Sequence, residues 1–594
     1  MGNKTSPTER NGEDRRQNRK ELLATTASRS LRPLAGEVRH RRSQSDTWVA
    51  GERAKALRFR WWRAPMRLGI DFGTTRIVAA AADRGNYPLV GFESPDGQSR
   101  EWFPPLVAIR GDERRFGWSA CAVQGNREWT VLRSLKRLLK RAGPTTRMDL
   151  AGCTMTVMEL ATEMLSAFRQ QLCQASTVSP DRAEPLEAMI GVPANANSNQ
   201  RFLTAEAFRA AGFLVLGLLD EPSAASVEFG HRERAQRKGQ PRRSLLVYDL
   251  GGGTFDASLV EMEDDTHTVV ASAGISDLGG DDFDEILANL ALETAGRSNE
   301  RASLSDAEAF RLLEECRERK EALHPNTRRI VVDLECVREG WGEVSVAVVP
   351  YYERCRPLVE RTAEVVEELL AAHSGRSVET LYVTGGGSEL PTVARVLKET
   401  FGRAVRRSAY MRSATAIGLA ISADANSGYV LRDRFARHFG VWREADHGRD
   451  VAFDLLFPRG LELPRRGAPP LRVVRSYRPV HNIGHFRYVE AARIGEDGQP
   501  SGDLTLWDDI QFPFDPALRV AADLALVDVS RTHEGAGSEV EEEYSCDASG
   551  IVKVTIWNRS AAYRREYMLG RWSNSAPPAA EACAVKPGWR PRHR

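Results

Sequence analysis

Two short stretches carry residue types suited to phosphate chemistry. Asp71, Gly73, Thr74 and Thr75 follow one apolar run, and Asp249, Gly251, Gly252, Gly253 and Thr254 follow another. Consecutive glycines permit positive φ and leave backbone N–H groups uncovered, so these can converge on an anion. Threonine hydroxyls add donors. An aspartate beside phosphates suits hydrated Mg2+, which keeps several of its waters there. Either stretch alone reads equally well as an ordinary Gly-rich hairpin turn. The two aspartates lie 178 residues apart, and the repetition points to a duplicated α/β domain with a nucleotide clamped between its halves.

The elements that must hold these residues follow from local pattern. Leu245–Tyr248 is a short apolar run ending in glycines, hence a buried strand, and Ala257–Val260 leads back out as its hairpin partner. Leu68–Ala82 repeats the arrangement. Glu221 precedes Pro222 at a predicted helix start after a strand at Leu216–Leu219; its carboxylate either faces the cleft or simply favours the helix N-terminus. Trp102–Ile109 and Leu186–Pro193 are strand-like, while Val157–Ala175 and Asn199–Ala211 are helical, the second stopped by Gly212. Residues 231–243 read as a basic Gly/Pro-containing loop. Gly279 and Gly280 open a helix after a turn, and Arg311–Leu323 is a charged helix. Gly385, Gly386 and Gly387 join a strand to a helix N-terminus, another place suited to an anion. Leu132–Arg141 (LRSLKRLLKR) has leucines at helical spacing; its leucines are expected in the core and its lysines and arginines on a solvated face. Ala414–Ser422 is a small-residue helix able to pack closely. From Val451 to Ile556 the chain is strand-like, with turns at Pro458–Gly460, Glu496–Gly498 and Asp547–Gly550, as in a separate β domain.

At 594 residues the chain exceeds one domain. No apolar run approaches the length of a membrane helix, and the first 30 residues contain no secretory core. The eight cysteines are scattered without a CxxC pair, which argues for a reducing, cytoplasmic setting and against zinc or a disulfide scaffold. Residues 1–65 hold sixteen Lys/Arg against seven Asp/Glu and few aliphatics, so they are expected to be a disordered basic tail. Met66, directly before the first phosphate strand, is a natural start for such a domain, which favours a start-site artefact over a functional tail. The remainder is net negative, so nucleic acid is not an expected partner of the folded body, nor is a membrane.

Six motifs in order then resemble the 70-kDa heat-shock (DnaK-like) chaperone family, within the actin-like ATPase superfamily. They are LGIDFGTT at 68–75, GVPANANSNQR at 191–201, LDEPSAASVEFG at 219–230, VYDLGGGTFD at 247–256, LGGDDFD at 278–284 and VTGGGSELP at 383–391. Residues 453–466 and 540–558 more loosely resemble the family's peptide-binding β-sandwich. The resemblance implies an α/β, duplicated actin-like (ribonuclease-H-like) ATPase domain at 66–425, a linker at 426–435, a β-sandwich at 436–565 and a disordered tail at 566–594. It implies ATP and Mg2+ as cofactors, with Asp71, Glu221 and Asp249 catalytic and the two aspartates holding the metal through water. Gly73, Thr74, Thr75, Gly251, Gly252, Gly253, Thr254, Gly279, Gly280, Lys320, Gly385, Gly386 and Gly387 would contact nucleotide. Pro193 and Arg201 would belong to the switch reporting nucleotide state. Extended or unfolded polypeptide, J-domain-type co-chaperones and exchange factors are the implied partners.

The departures are specific. Cys121 stands where the family has a catalytic lysine, and a thiol cannot stabilise γ-phosphoryl charge as an ammonium does; Arg76 is a candidate substitute. Glu389 fills the adenine-stacking arginine position, Arg317 replaces a glutamate and His324 a serine. The linker, YVLRDRF at 429–435, carries two arginines, which is expected to weaken coupling. No helical lid is expected, since the tail after 565 is short and Pro-rich. Three readings follow: a lidless chaperone-like ATPase holding extended apolar peptide; a hydrolysis-deficient nucleotide-sensing scaffold; and, ranked low for its lack of such a β domain, a sugar kinase or filament-forming relative.

Overall fold

The computed structural model describes residues 65–568, except 127, 144, 182–183, 238–241, 446–449, 508–509, 522 and 532–537. The expected basic tail before residue 65 and the Pro-rich tail from 569, with the question of a lid, lie outside the described residues.

Two halves repeat one topology. In the first, β1 (Met66–Phe72) and β2 (Ile77–Ala81) form the antiparallel hairpin whose turn holds Gly73–Thr75. Helices α1 (Leu135–Arg141) and α2 (Val157–Gln174) follow; Thr156 and Glu159 close a capping box at the start of α2. Strand β3 (Leu186–Val192) pairs parallel with β1; after α3 (Ser198–Ala210), β4 (Leu214–Asp220) pairs parallel with β3. Helix α4 (Glu221–Arg237) crosses to the second half. It runs seven residues into the expected loop, because no Gly or Pro interrupts His231–Arg237 and Arg234 is held there by Asp265, 2.6 Å away.

In the second half, β5 (Arg243–Leu250) and β6 (Phe255–Glu263) form the matching hairpin, extended by β7 (Thr266–Ile275). Helices α5 (Gly280–Thr294), α6 (Asp306–Glu321) and α7 (Val348–Ala371) build its outer layer. Strand β8 (Val378–Thr384) pairs parallel with β5; after α8 (Pro391–Phe401), β9 (Val405–Arg407) pairs parallel with β8. A hairpin followed by two parallel strands thus occurs twice, which is the duplication. Helix α9 (Ala414–Ala423) locks the halves together. Its small residues permit contact at backbone distance: a Cβ on Gly418 would overlap the Ala224 carbonyl of α4, and one on Gly69 of β1 would overlap the α9 backbone.

The linker is structured. Strand β10 (Val430–Arg432) adds to the edge of the second sheet by parallel pairing with β7. Its flanking arginine does not disturb this, since Arg434 donates to the Gly460 carbonyl at 3.0 Å. Beyond it, one sheet contains β11 (His438–Ala445), β12 (Asp450–Phe457), β14 (Ile483–Ile494), β15 (Pro500–Leu506) and β16 (Ile510–Pro513). The other contains β13 (Leu471–Tyr477), β17 (Val540–Cys546), β18 (Val552–Asn558) and β19 (Tyr563–Met568). Strict period-two burial in β17 and β18 sends Val540, Tyr544, Val554 and Ile556 inward against Phe439, Tyr488 and Phe512. The same alternation buries Glu542, which Arg443 and the hydroxyls of Tyr477 and Tyr544 satisfy. Of the expected Trp102–Ile109 strand only residues from Val107 on pair as one, in a strand that runs to Arg110, with Phe103 making a single bridge to Ile77.

The β-rich region packs on both halves. Ser198 at the start of α3 donates its N–H to Glu490 of β14 (3.1 Å), and Arg459 donates to the Ser272 carbonyl of β7 (2.6 Å). Among the described residues no helix is long and apolar enough to cross a membrane.

Candidate functional site

The two hairpin tips meet across the cleft between halves. A Cβ on Gly252 would lie 2.8 Å from Thr75 Cγ2, and one on Gly253 would lie 2.8 Å from Thr74 Oγ1. Only glycine allows the tips this proximity. The second tip closes on itself through the Gly251 N–H to the Thr254 carbonyl (2.9 Å), and the start of α5 docks on it through the Gly280 and Asp281 N–H groups to the Gly251 and Gly252 carbonyls (3.0 and 2.7 Å). Gly385 has φ +87° and sits against Asp249 and Leu250, a conformation and proximity that a side chain would forbid.

The cleft is lined by Asp71, Gly73, Thr74, Thr75, Glu221, Asp249, Gly251, Gly252, Thr254, Gly280, Lys320, Gly385, Gly386 and Gly387, all read from the sequence. Gly253 and Gly279 are not on its wall; both are tip supports, and a Cβ on Gly279 would lie 2.6 Å from the Gly252 carbonyl carbon. Lys320 is tied to the Gly280 carbonyl and to Asp284, each at 2.6 Å, so it braces the start of α5 as well as facing the cleft. Pro193 lines a second cavity behind the tips, with Asn195, Asp256 and Asp503. Arg201 lies outside the cleft, paired with Asp220 at the end of β4 and donating to the Ser549 carbonyl of the β-rich region at 3.4 Å.

A residue expected on a solvated face lies in the cleft instead. Lys136 of α1 is 7% exposed and its ammonium is paired with Glu221. The leucine face of α1 enters the core at Leu135 and Leu139, and the adjoining face turns Lys136 inward. Its neighbours are engaged too: Arg137 donates to the Gly253 carbonyl (2.9 Å) and Arg133 reaches Glu314 of α6 (3.1 Å) across the cleft. Cys121 does not line the cleft. It ends a four-residue helix, and burial, with Glu314 nearby, pushes its thiol up to about 12. Arg76 reaches the cleft rim rather than its centre, bound to Glu321 with its guanidinium 4.9 Å from the Trp102 ring centre. Lys136 thus places an ammonium on the cleft wall, where Cys121 places none. One signal could have found it: three acidic side chains read as facing one cleft call for a cation, and the basic run at 132–141 follows the first tip in sequence.

Electrostatics follow from this crowding. Burial and then the Glu221 carboxylate raise Asp71 to about 7 and Asp256 likewise; burial, Glu221 and Asp71 raise Asp249 well above the ordinary carboxylate range. Burial pushes Lys136 toward neutrality, but Glu221 and Asp71 outweigh it and keep the ammonium charged. Desolvated, under-compensated carboxylates are a donor set that fits a divalent cation. Among the described residues no three metal-ligating side chains converge to cage an ion directly.

A comparison with protein-family models matches residues 67–436 to the family described as Hsp70 protein, more than half of the chain. The match spans both hairpin tips, Lys136, Glu221 and the β10 strand.

Proposed function

The chain belongs to the Hsp70 family of ATP-binding chaperones, and on that premise we propose that it binds ATP–Mg2+ between the two tips, hydrolyses it slowly, and couples nucleotide state to holding extended polypeptide. The observation that carries the reading is the Lys136–Glu221 pair buried where both tips converge. Thr74, Thr75 and Thr254 hydroxyls and the tip N–H groups would cradle the phosphates. Lys136 would stabilise charge developing on the γ-phosphoryl group. Glu221 would orient the attacking water. Mg2+, when bound near Asp71 and Asp249, supplies neutralisation of phosphate charge. The products are ADP and inorganic phosphate.

Hydrolysis is favoured over a purely sensing scaffold because the cation that position 121 lacks is present. Coupling is supported by Arg201, which touches both Asp220 and Ser549, and by the linker strand β10 on β7. Polypeptide holding is supported by β12 and β13, each at the edge of its sheet, with Val451, Leu455 and Val474 exposed on them; an extended segment can add to such edges through main-chain hydrogen bonds. Calorimetric titration of the full chain with ATP–Mg2+ tests the binding step. Saturable binding that Asp249→Asn weakens supports it, and no heat with the parent protein rejects it.

A further inference from the structure

The tips occupy one end of the cleft; the other is walled by Gly385–Gly387, Arg317, Glu321, Met411 and Arg412. If the triphosphate lies at the tips, the base lies here. No Phe, Tyr or Trp lines the cleft among the described residues, so a planar base has no ring to stack on. A guanidinium face is the remaining partner for an aromatic ring.

Three arginines are close. Arg76 is spent on Trp102 and Glu321. Arg317 is spent on Glu314 (2.7 Å) and Glu321 (3.2 Å), along its own helix. Arg412 differs. Its backbone is strapped to the glycine turn, where the preceding carbonyl of Met411 accepts from the Gly385 N–H (2.7 Å) and the Thr384 hydroxyl (3.1 Å). Its stem runs across Gly386, whose added Cβ would lie 3.8 Å from Arg412 Cγ. Its head is fixed by Glu389 on one side (Nε, 2.8 Å) and by Glu321 on the other (Nη1, 3.0 Å). Guanidinium N–H groups point outward in the plane of the group, so the bonds to Glu389 and Glu321 fix its edges, and no aromatic ring lies over it among the described residues. Glu321, at the unfavourable C-terminal end of α6, is held ionised at about 2 by Arg76, Arg317 and Arg412 despite burial.

We infer that Arg412, clamped between Glu389 and Glu321, is the residue on which the nucleotide base stacks. Glu389 is then the anchor of the stacking cation, and the charge at that place is restored from a segment 23 residues further along the chain. The inference rests on the proposed nucleotide site, and the test separates the two.

The full chain is titrated with ATP–Mg2+ and with tripolyphosphate–Mg2+, which has phosphates but no base. Arg412→Ala is expected to raise the Kd for ATP roughly five- to thirtyfold, the range of a desolvated cation–π contact, and to leave tripolyphosphate within twofold. Glu389→Gln, which keeps Arg412 but loosens its anchor, is expected to give a smaller rise for ATP only. ATP affinity unchanged in Arg412→Ala overturns the inference. Equal losses for both ligands overturn it as well, since Arg412 then holds the cleft together and does not read the base. If the parent protein binds neither ligand, the proposed site itself fails, and the inference fails with it.

Discussion

Lys136 donates to Glu221 from 85 residues away in sequence, and the pair is buried between the two glycine-rich tips. Breaking such a pair leaves a desolvated charge, which costs about 3–5 kcal/mol unless the survivor is neutralised. The fold therefore holds this ammonium in place before any ligand arrives.

On the proposed reading, Cys121 is expected to be dispensable. Its thiol is held protonated and lies off the cleft wall. Cys121→Ala is expected to leave ATP turnover within twofold of the parent, and Cys121→Lys to bring no gain. Steady-state phosphate release measures both; a tenfold change in either would return the catalytic role to position 121.

Stability of the ligand-free protein should fall as pH rises. Burial, then Glu221, raises Asp256 to about 7; burial raises Asp284 to about 6 against the opposing Lys320 and Arg133. Both folded values exceed the unfolded one, so between about pH 4 and 7 the native state binds more protons and stability declines with rising pH. Glu321, held at about 2, gains its stability between about pH 2 and its ordinary value of 4.5, so it opposes the trend only at the acid end of this window. Urea unfolding in EDTA is expected to give a lower midpoint at pH 8 than at pH 5.5, a difference on the order of 2 kcal/mol. A midpoint that rises with pH would contradict this.

Glu542 is fully buried in the β-sandwich beneath Arg443, Tyr477 and Tyr544. Glu542→Ala leaves Arg443 with Asp454 as its remaining carboxylate (2.7 Å) and takes the acceptor from the buried Tyr477 and Tyr544 hydroxyls, and is expected to destabilise the β-rich region by about 1–3 kcal/mol. Thermal unfolding followed by tryptophan fluorescence should show this as an earlier transition.

The approach of α9 to α4 tolerates no methyl group at Gly418. Gly418→Ala is expected to cost about 1–3 kcal/mol by overpacking and to lower ATP affinity, because α9 sets the spacing of the halves. Calorimetric unfolding and nucleotide titration of the same variant check both.

The tips, Glu221 and the duplicated hairpins were legible because their signal is local: an apolar run, an aspartate, glycines and threonines within ten residues. Lys136 and Arg412 were not. A basic residue on an amphipathic helix looks solvated until the carboxylates facing it are known, and those come from Asp71 and Glu221, on either side of it in sequence. Arg412 sits in a turn with no motif; its role depends on Glu389 and Glu321, which the chain brings to it from two other elements. The helix through His231–Arg237 is not legible within a basic stretch that contains Gly and Pro, because the breakers Gly239 and Pro241 act only after residue 237. The β-sandwich was legible in period and turns, but its buried Glu542 was not, since alternation alone does not reveal an internal partner for a charge.

The most direct test is single-turnover hydrolysis of γ-labelled ATP by the full chain beside Lys136→Ala, with calorimetric binding of ATP–Mg2+ to both. The parent is expected to hydrolyse slowly. Lys136→Ala is expected to bind nucleotide yet lose roughly 100-fold or more in rate, the scale of removing one transition-state donor. A Lys136→Ala protein that binds ATP and hydrolyses it at the parental rate would contradict the assignment of Lys136 as the catalytic cation.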